Sequence, residues 1–180
     1  MGALNWIEYT LGRLLYNVRG RDSALFTNGP ACKDIAPTIR LLAPECGATG
    51  SQMLKYDTGL GGDVFPELEW TAPEGVKGFV LVVQNPDILL PFVATHGLFY
   101  ARPGPVTSIK AADVQYKNEQ GSQHELIRPF LLHGPYCYFF QIVALSEPLD
   151  PRTLGKRPSL SAISKAINGK ASDRASWIGT

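Results

Sequence analysis

The sequence has little of what marks secreted, membrane-spanning or metal-binding proteins. It contains only three cysteines, Cys32, Cys46 and Cys137, without a CxxC pair or a Cys/His spacing typical of zinc sites. The sequence does not begin with basic residues followed by a long apolar run, the pattern that marks a secretion signal. No apolar run approaches the roughly 20 residues that a membrane-spanning helix needs. We therefore expect a cytoplasmic protein with free thiols, no integral membrane association and no metal site.

An excess of charge of one sign is also missing. The 17 basic and 16 acidic residues give a formal net charge of +1, so bulk electrostatics favour neither nucleic acid nor an anionic membrane as a partner. The chain has no internal repeat, low-complexity tract or interdomain linker, and its 180 residues suit one domain with a sizeable core. We expect a single domain over residues 1–180 and no nucleic-acid partner, and we leave the oligomeric state open.

Helical periodicity is confined to the two ends of the chain. Apolar residues recur at three- and four-residue spacing from Leu4 to Val18, which predicts a helix within residues 1–20. This helix either packs on the surface of its own domain or binds a membrane surface or a partner. Near the other end, Ser159 is a typical N-cap before an apolar stripe that Gly169 ends. The pattern predicts a second peripheral helix over residues 159–168.

The middle of the chain has the composition of β-strands. Several runs of β-branched, aromatic and aliphatic residues are bounded mainly by Pro and Gly clusters. Strands that follow one another without intervening helices favour an antiparallel, sheet-dominated core over a βαβ arrangement. We therefore predict an all-β dominated fold with peripheral helices at both termini. The predicted strands cover residues 38–42, 67–71, 78–83, 98–101 and 138–145.

Polar residues lie where two of these predicted strands end or begin. Asn85, Pro86 and Asp87 follow the third run, and His96 precedes the fourth run across a Pro-containing connection. A second cluster, residues 133–138, comes directly before the last run. Side chains at strand ends and in loops can face a ligand rather than the core. We therefore expect a pocket for a small-molecule ligand or substrate at this place.

The order and spacing of these motifs resemble the phosphatidylethanolamine-binding protein family. The family's Pro-x-Leu-x-Trp strand is matched by residues 66–70, its Asp-Pro-Asp motif by residues 85–87 and its pocket histidine by His96. Its Gly-x-His-Arg-Tyr signature corresponds to residues 134–138. A helical opening and an Ala-Ile-x-Gly-Lys segment near the end are similar to the fungal branch. The resemblance covers residues 10–178 and implies an antiparallel β-sandwich with a small anion-binding cavity.

The implied pocket departs from the family pattern at several polar positions. Asn85 stands where the family has its first aspartate, Tyr136 where it has a histidine, and Cys137 where it has an arginine. In the preceding loop, His124 replaces a tyrosine and the Gly-Pro pair is absent. These changes remove an acid, a base and a permanent cation. We therefore expect phosphate head groups to bind weakly or not at all.

The altered pocket leaves two kinds of function open. In the first, the protein is a cyclase- or isomerase-type enzyme or helper that needs no cofactor and acts on a carbonyl- or carboxylate-bearing metabolite. Fungal members of the family occur in secondary-metabolite pathways, including those for maleic-anhydride dimers. His96 would then move a proton, and Asn85 and Tyr136 would stabilise an oxyanion. In the second, the protein binds a small anionic or lipid ligand without catalysis, or serves as a scaffold or regulatory protein-interaction module with a protein partner.

The remaining polar residues near the implied pocket have competing interpretations. Arg128 is either a surface charge or a clamp for a substrate carboxylate, and in the second case Arg128→Ala should mainly raise KM. His124 either lies in an exposed loop or shuttles a proton, and His133 either packs in a loop or contacts the ligand. The resemblance completes the predicted ligand-binding set with Asp87, Pro86 and Tyr138.

Overall fold

The structure, a computed structural model, describes residues 20–57, 64–88, 92–103, 106–113, 136–155 and 158–180, together with Thr10 and Gly62. Within these ranges the chain forms two antiparallel sheets. The smaller sheet has the order β1-β2-β5, with β1 (Leu41–Leu42), β2 (Leu68–Trp70) and β5 (Ser108–Ile109). The larger sheet has the order β4-β3-β6-β7, with β3 (Gly78–Asn85), β4 (Ala94–Pro103), β6 (Tyr138–Leu145) and β7 (Ala171–Gly179). Helices α1 (Pro151–Leu154) and α2 (Leu160–Ile167) lie between β6 and β7 in the chain.

The β-dominated fold predicted from the sequence is confirmed. The predicted run 138–145 matches β6 at both ends, while β3 and β4 are longer than predicted. Helix α2 lies in the region predicted to be helical, and Ser159 Oγ accepts a hydrogen bond from Ala162 N at 3.1 Å, as an N-cap does. The helix predicted within residues 1–20 lies outside the described residues, except for Thr10 and Gly20.

Strands β3 and β6 form the centre of the larger sheet, and every residue of both strands is buried. On one face of β3, Phe79, Leu81 and Val83 belong to a core shared with the smaller sheet. On the other face, Val80 and Val82 belong to a core shared with α2. Burial on both faces explains why these strands are continuous apolar runs rather than alternating ones.

Two buried glutamines join the central strands to a short 3-10 turn over Phe26–Asn28. Gln84 Oε1 accepts hydrogen bonds from Phe26 N at 2.8 Å and from Gln141 Nε2 at 2.9 Å. Gln141 Oε1 accepts from Thr27 N at 3.0 Å and from Thr27 Oγ1 at 2.9 Å. Because buried polar groups stabilise a fold only when they are satisfied, this network fixes the turn over the larger sheet.

We expect Gln141→Leu to lower the free energy of unfolding by about 2–4 kcal/mol, because it leaves the buried amide of Thr27 without its acceptor and removes a donor from Gln84. Gln52 is exposed, so Gln52→Leu is the matched control, with an expected change within about 0.5 kcal/mol. Urea unfolding measures both variants. Equally small changes in the two would show that the buried network adds little to stability.

Strand β7 closes one edge of the larger sheet, and neither it nor β5 was predicted from the sequence. It pairs with β6 and ends with Gly179 opposite Tyr138. The backbone of Gly179 lies against Met53, since a Cβ at this glycine would be only 2.5 Å from Met53 Cγ. The last strand therefore supports the start of β6, next to the predicted pocket residues.

Candidate functional site

The last residues of β3 and the first residues of β4 and β6 bring four predicted site residues together. Asn85 is the last residue of β3, Asp87 follows it, Tyr138 begins β6, and His96 is near the start of β4. Both β4 and β6 flank β3 in the sheet, so these ends are neighbours. The exposed fractions are only 1% for Asn85, 8% for Asp87, 6% for His96 and 7% for Tyr138. We call this buried group of four residues, with Pro86 and Tyr136 beside it, the His96 site.

A β-bulge in β4 places the imidazole of His96. The register between β4 and β3 shifts between Gly97 and Thr95, which makes His96 the extra residue of the bulge. Bulges turn side chains in new directions and are frequent beside active sites. Here the imidazole meets Tyr138 in an edge-to-face arrangement, with ring centroids 5.4 Å apart and planes inclined by 64°. Strand β6, which lies on the other side of β3, thus restricts the orientation of the His96 ring.

Two hydrogen bonds shape the loop after β3. Asn85 Oδ1 accepts from Asp87 N at 2.8 Å, a local turn that asparagine favours. Asp87 Oδ2 accepts from Cys137 N at 2.9 Å and so joins this loop to the segment before β6. Because only the oxygen of Asn85 can accept the backbone N–H, its Nδ2 amide is the end that can donate to a ligand.

The segment before β6 contributes neutral groups to the site. Tyr136 is half-buried and packs against the core between the sheets. Cys137 is half-buried and forms no disulfide, and its backbone amide donates the hydrogen bond to Asp87. A phenol and a thiol therefore stand at the two positions where the family signature has a histidine and an arginine. This chemistry suits a carbonyl better than a dianionic phosphate.

The structure adds one basic residue that the sequence analysis missed. Arg21 Nη1 donates a hydrogen bond to Ile88 O at 3.0 Å, which places a guanidinium beside the loop that carries Asp87. The two partners are 67 residues apart in the chain, and no local motif marks Arg21. Only the tertiary structure could therefore reveal this contact.

Three predicted ligand-binding residues, His124, Arg128 and His133, lie outside the described residues, and their roles stay predictions. In the described ranges, no group of three or more His, Cys, Asp and Glu side chains is arranged to bind a metal ion. A search of the same ranges finds no helix with the length and apolar character that crossing a membrane requires.

Comparison with known sequences places the chain among similar proteins. A family model described as phosphatidylethanolamine-binding protein matches residues 40–180. Phomoidride biosynthesis cluster protein B of a fungal species is 34% identical over 196 aligned positions, which cover 98% of this chain and 94% of that protein. The protein of the same name from Talaromyces stipitatus is 33% identical over 197 positions, which cover 98% of this chain and 81% of the relative.

Two solved structures share the fold. A Chlamydia trachomatis protein described as a homologue of phosphatidylethanolamine-binding protein superposes with a TM-score of 0.61 at 20% identity, covering 80% of this chain and 97% of that chain. Escherichia coli YbcL, described as a member of the mammalian family, gives a TM-score of 0.62 at 20% identity, covering 78% and 96%. At such low identity the likeness concerns the fold alone.

Proposed function

Because this chain belongs to the phosphatidylethanolamine-binding protein family, we propose that it uses the family's pocket, with altered chemistry, on a metabolite of a fungal biosynthetic pathway. The similarity to two phomoidride cluster proteins over nearly the whole chain supports such a pathway. The substrate class is a small metabolite with a carbonyl or carboxylate group, and the reaction is a cyclisation or isomerisation that proceeds through proton transfer. The observation that carries the proposal is that His96, Asn85 and Tyr138 are all buried at the same end of the sheet, with the rings of His96 and Tyr138 in contact.

In the proposed reaction a carbonyl compound loses a proton from the carbon next to its carbonyl group. The His96 imidazole accepts this proton, and the electron pair of the broken C–H bond moves into the carbonyl to form an enolate. Asn85 Nδ2 and the Tyr136 hydroxyl donate hydrogen bonds to the enolate oxygen. Return of the proton from His96 to another carbon gives an isomer. Alternatively, the enolate carbon attacks an electrophilic double-bond carbon of the same molecule to close a ring, and the electron pair displaced from that double bond takes the proton back from His96. Both outcomes balance without an oxidant or a reductant.

Burial makes these few groups effective. The four residues of the His96 site are more than nine-tenths buried, and hydrogen bonds to a developing charge are stronger where water is excluded. Tyr138 acts as a positioning residue, because its ring holds the imidazole edge-to-face. Asp87 serves the site indirectly by holding the loop after β3 to the segment before β6.

The test of this proposal uses an alkyl-substituted maleic anhydride as the probe, because it offers acidic C–H bonds next to a conjugated carbonyl. The purified full chain is incubated with the probe in D₂O, and deuterium incorporation is followed by NMR. We expect incorporation faster than in buffer or with heat-denatured protein. Equal rates with and without the native protein would rule out this catalysis.

A second candidate function, non-catalytic binding of a small ligand, is favoured by one observation. Asn85 Oδ1 and Asp87 Oδ2 are both engaged with backbone amides, so each side chain has a structural task that requires no catalysis. A binder would protect the protein against unfolding in the presence of its ligand without altering the ligand. Saturable thermal stabilisation by the anhydride or its hydrolysed dicarboxylate, without deuterium incorporation, would support this alternative.

Phosphate and phosphoethanolamine should bind weakly or not at all, because Tyr136 and Cys137 stand where the family has charge-assisted donors, each contributing roughly 1.5–3 kcal/mol. Isothermal titration calorimetry near neutral pH measures this affinity. The double variant Tyr136→His/Cys137→Arg restores the family residues and should raise phosphate affinity by about tenfold or more. Low-micromolar phosphate binding by the wild type would contradict the prediction.

A further inference from the structure

We propose that the protein has a second small-molecule site, a cavity between the edges of the two sheets that takes a neutral ligand with a flat two-ring apolar body. The cavity has a volume of about 270 Å³. Both sheets contribute to its walls, the smaller one through Trp70 and Ile109 and the larger one through Phe79, Phe99 and Ile142. Asn85, Asp87, His96 and Tyr138 are not among its lining residues. This inference goes beyond the proposed function and does not depend on it.

Phe99 separates this cavity from the His96 site. Its ring lies back over Gly97, since a Cβ at Gly97 would be only 2.8 Å from Phe99 Cε2. The same ring packs edge-to-face against Phe65, with centroids 5.4 Å apart. Phe99 thus forms the wall of the cavity on the side of His96, and the two sites are distinct.

Trp70 contributes an aromatic wall rather than a polar group to the cavity. It is 7% exposed, and its Nε1 is buried out of reach of a ligand. The polar side chains in the lining are those of Ser108 and Asp113. The acidic Asp113 disfavours an anionic ligand.

The size and lining of the cavity define the ligand class. An apolar cavity of about 150 Å³ accommodates benzene, so a cavity of about 270 Å³ accommodates a two-ring body. Aromatic walls favour flat or unsaturated ligands through edge-to-face and stacked contacts. Small-molecule sites are typically apolar with one or a few polar groups that set orientation. The cavity has this composition, because most of its lining residues are aromatic or aliphatic.

The test uses prodan, a neutral naphthalene ketone whose fluorescence shifts to the blue in apolar surroundings. Titration of the full chain should give a saturable blue-shifted signal. Val106 lines the cavity and Val76 does not, although both are half-buried valines packed against the same core. Val106→Trp fills the cavity and should weaken prodan binding by about tenfold or more, whereas Val76→Trp should change it by less than about twofold.

One further variant tests the separation of the cavity from the His96 site. His96→Ala should change prodan affinity by less than about twofold.

Wild-type affinity in Val106→Trp, or loss of prodan binding in His96→Ala, would overturn the second site, and so would an absence of saturable binding to the wild type. Urea unfolding of each variant shows whether weaker prodan binding comes from a folding defect. A defect caused by placing tryptophan in this core would also appear in the control Val76→Trp. Because deuterium exchange and prodan binding are separate measurements, either proposal can fail while the other stands.

Discussion

His96→Ala should lower the rate of deuterium incorporation into the maleic anhydride probe by about 100- to 10,000-fold, the range expected for loss of a positioned acid or base. The imidazole is the group of the His96 site whose type titrates nearest neutral pH. It is buried together with Asn85, Asp87 and Tyr138, and the Asp87 carboxylate already accepts a hydrogen bond from Cys137 N. Initial rates with wild type, variant and no protein, measured with and without a chelator, give the result directly.

Two companion variants separate proton transfer from packing at His96. His96→Phe keeps an aromatic ring beside Tyr138 but has no basic nitrogen, so we expect the same loss of rate. Added imidazole should partly restore the rate of His96→Ala, which leaves space for it, and should not restore that of His96→Phe. Unchanged turnover in His96→Ala would remove this residue from the mechanism. Tyr138→Phe retains the ring contact and should affect the rate by less than about threefold.

The proposed chemistry depends on local features of the sheet rather than on a dedicated domain. The bulge at His96 and the turn made by Asn85 bring side chains of two neighbouring strands to one end of the core. The contact between Asp87 and the amide of Cys137 adds the start of β6. Because the fold supplies only this framework, the reaction depends on which residues occupy the framework positions. We therefore expect Asn85, Tyr136 and Cys137, which stand where the family has an aspartate, a histidine and an arginine, to change the chemistry of the site while the fold stays the same.

The central strands and the layout of the His96 site could be predicted because their signals are local. Strands β3 and β6 are buried on both faces, and burial of that kind requires the continuous apolar runs that the sequence shows. Asn85, Asp87 and His96 flank such runs, so their position at strand ends follows from adjacency in the chain. The structure brings these residues together with Tyr138, while their catalytic or binding roles stay predictions.

Strand β7 could not be predicted because its stability comes from tertiary contacts. It contains Ala, Asp and Gly, which are depleted in strands, and it becomes a strand by pairing with β6. Its burial alternates, with Asp173, Ala175 and Trp177 among the inward residues. An inward aspartate hides this alternation from a search for apolar residues. Contacts such as Arg21 with Ile88 and Gln141 with Thr27 are likewise invisible in the sequence, because the partners are far apart in the chain.

Asp173→Ala should lower the free energy of unfolding by about 3–5 kcal/mol at neutral pH, because it removes the acceptor of several hydrogen bonds at a buried position. The Asp173 carboxylate accepts from Thr38 N at 2.8 Å, Ile39 N at 3.2 Å and Arg174 N at 2.6 Å, and from the Thr38 hydroxyl. These contacts attach the segment leading into β1 to β7, so they connect the two sheets. Urea unfolding at pH 7 measures the loss, with the exposed Asp34→Ala expected within about 0.5 kcal/mol of wild type.

The dependence on pH separates the charge of Asp173 from its geometry. Burial raises the pKa of Asp173, but the hydrogen bonds from Thr38, Ile39 and Arg174 outweigh burial and hold the pKa below its ordinary value of 3.8. The folded protein therefore binds this proton less tightly than the unfolded chain does. The stabilisation is complete well above pH 3.8 and is lost as the pH falls through the lower folded-state pKa.

Asp173→Asn keeps an oxygen for the three backbone donors but cannot ionise, so we expect a loss of about 1–2 kcal/mol at pH 7. This difference from wild type should shrink as the pH falls below 3.8, and a difference that stays constant in acid would show that the charge of Asp173 does not stabilise the fold.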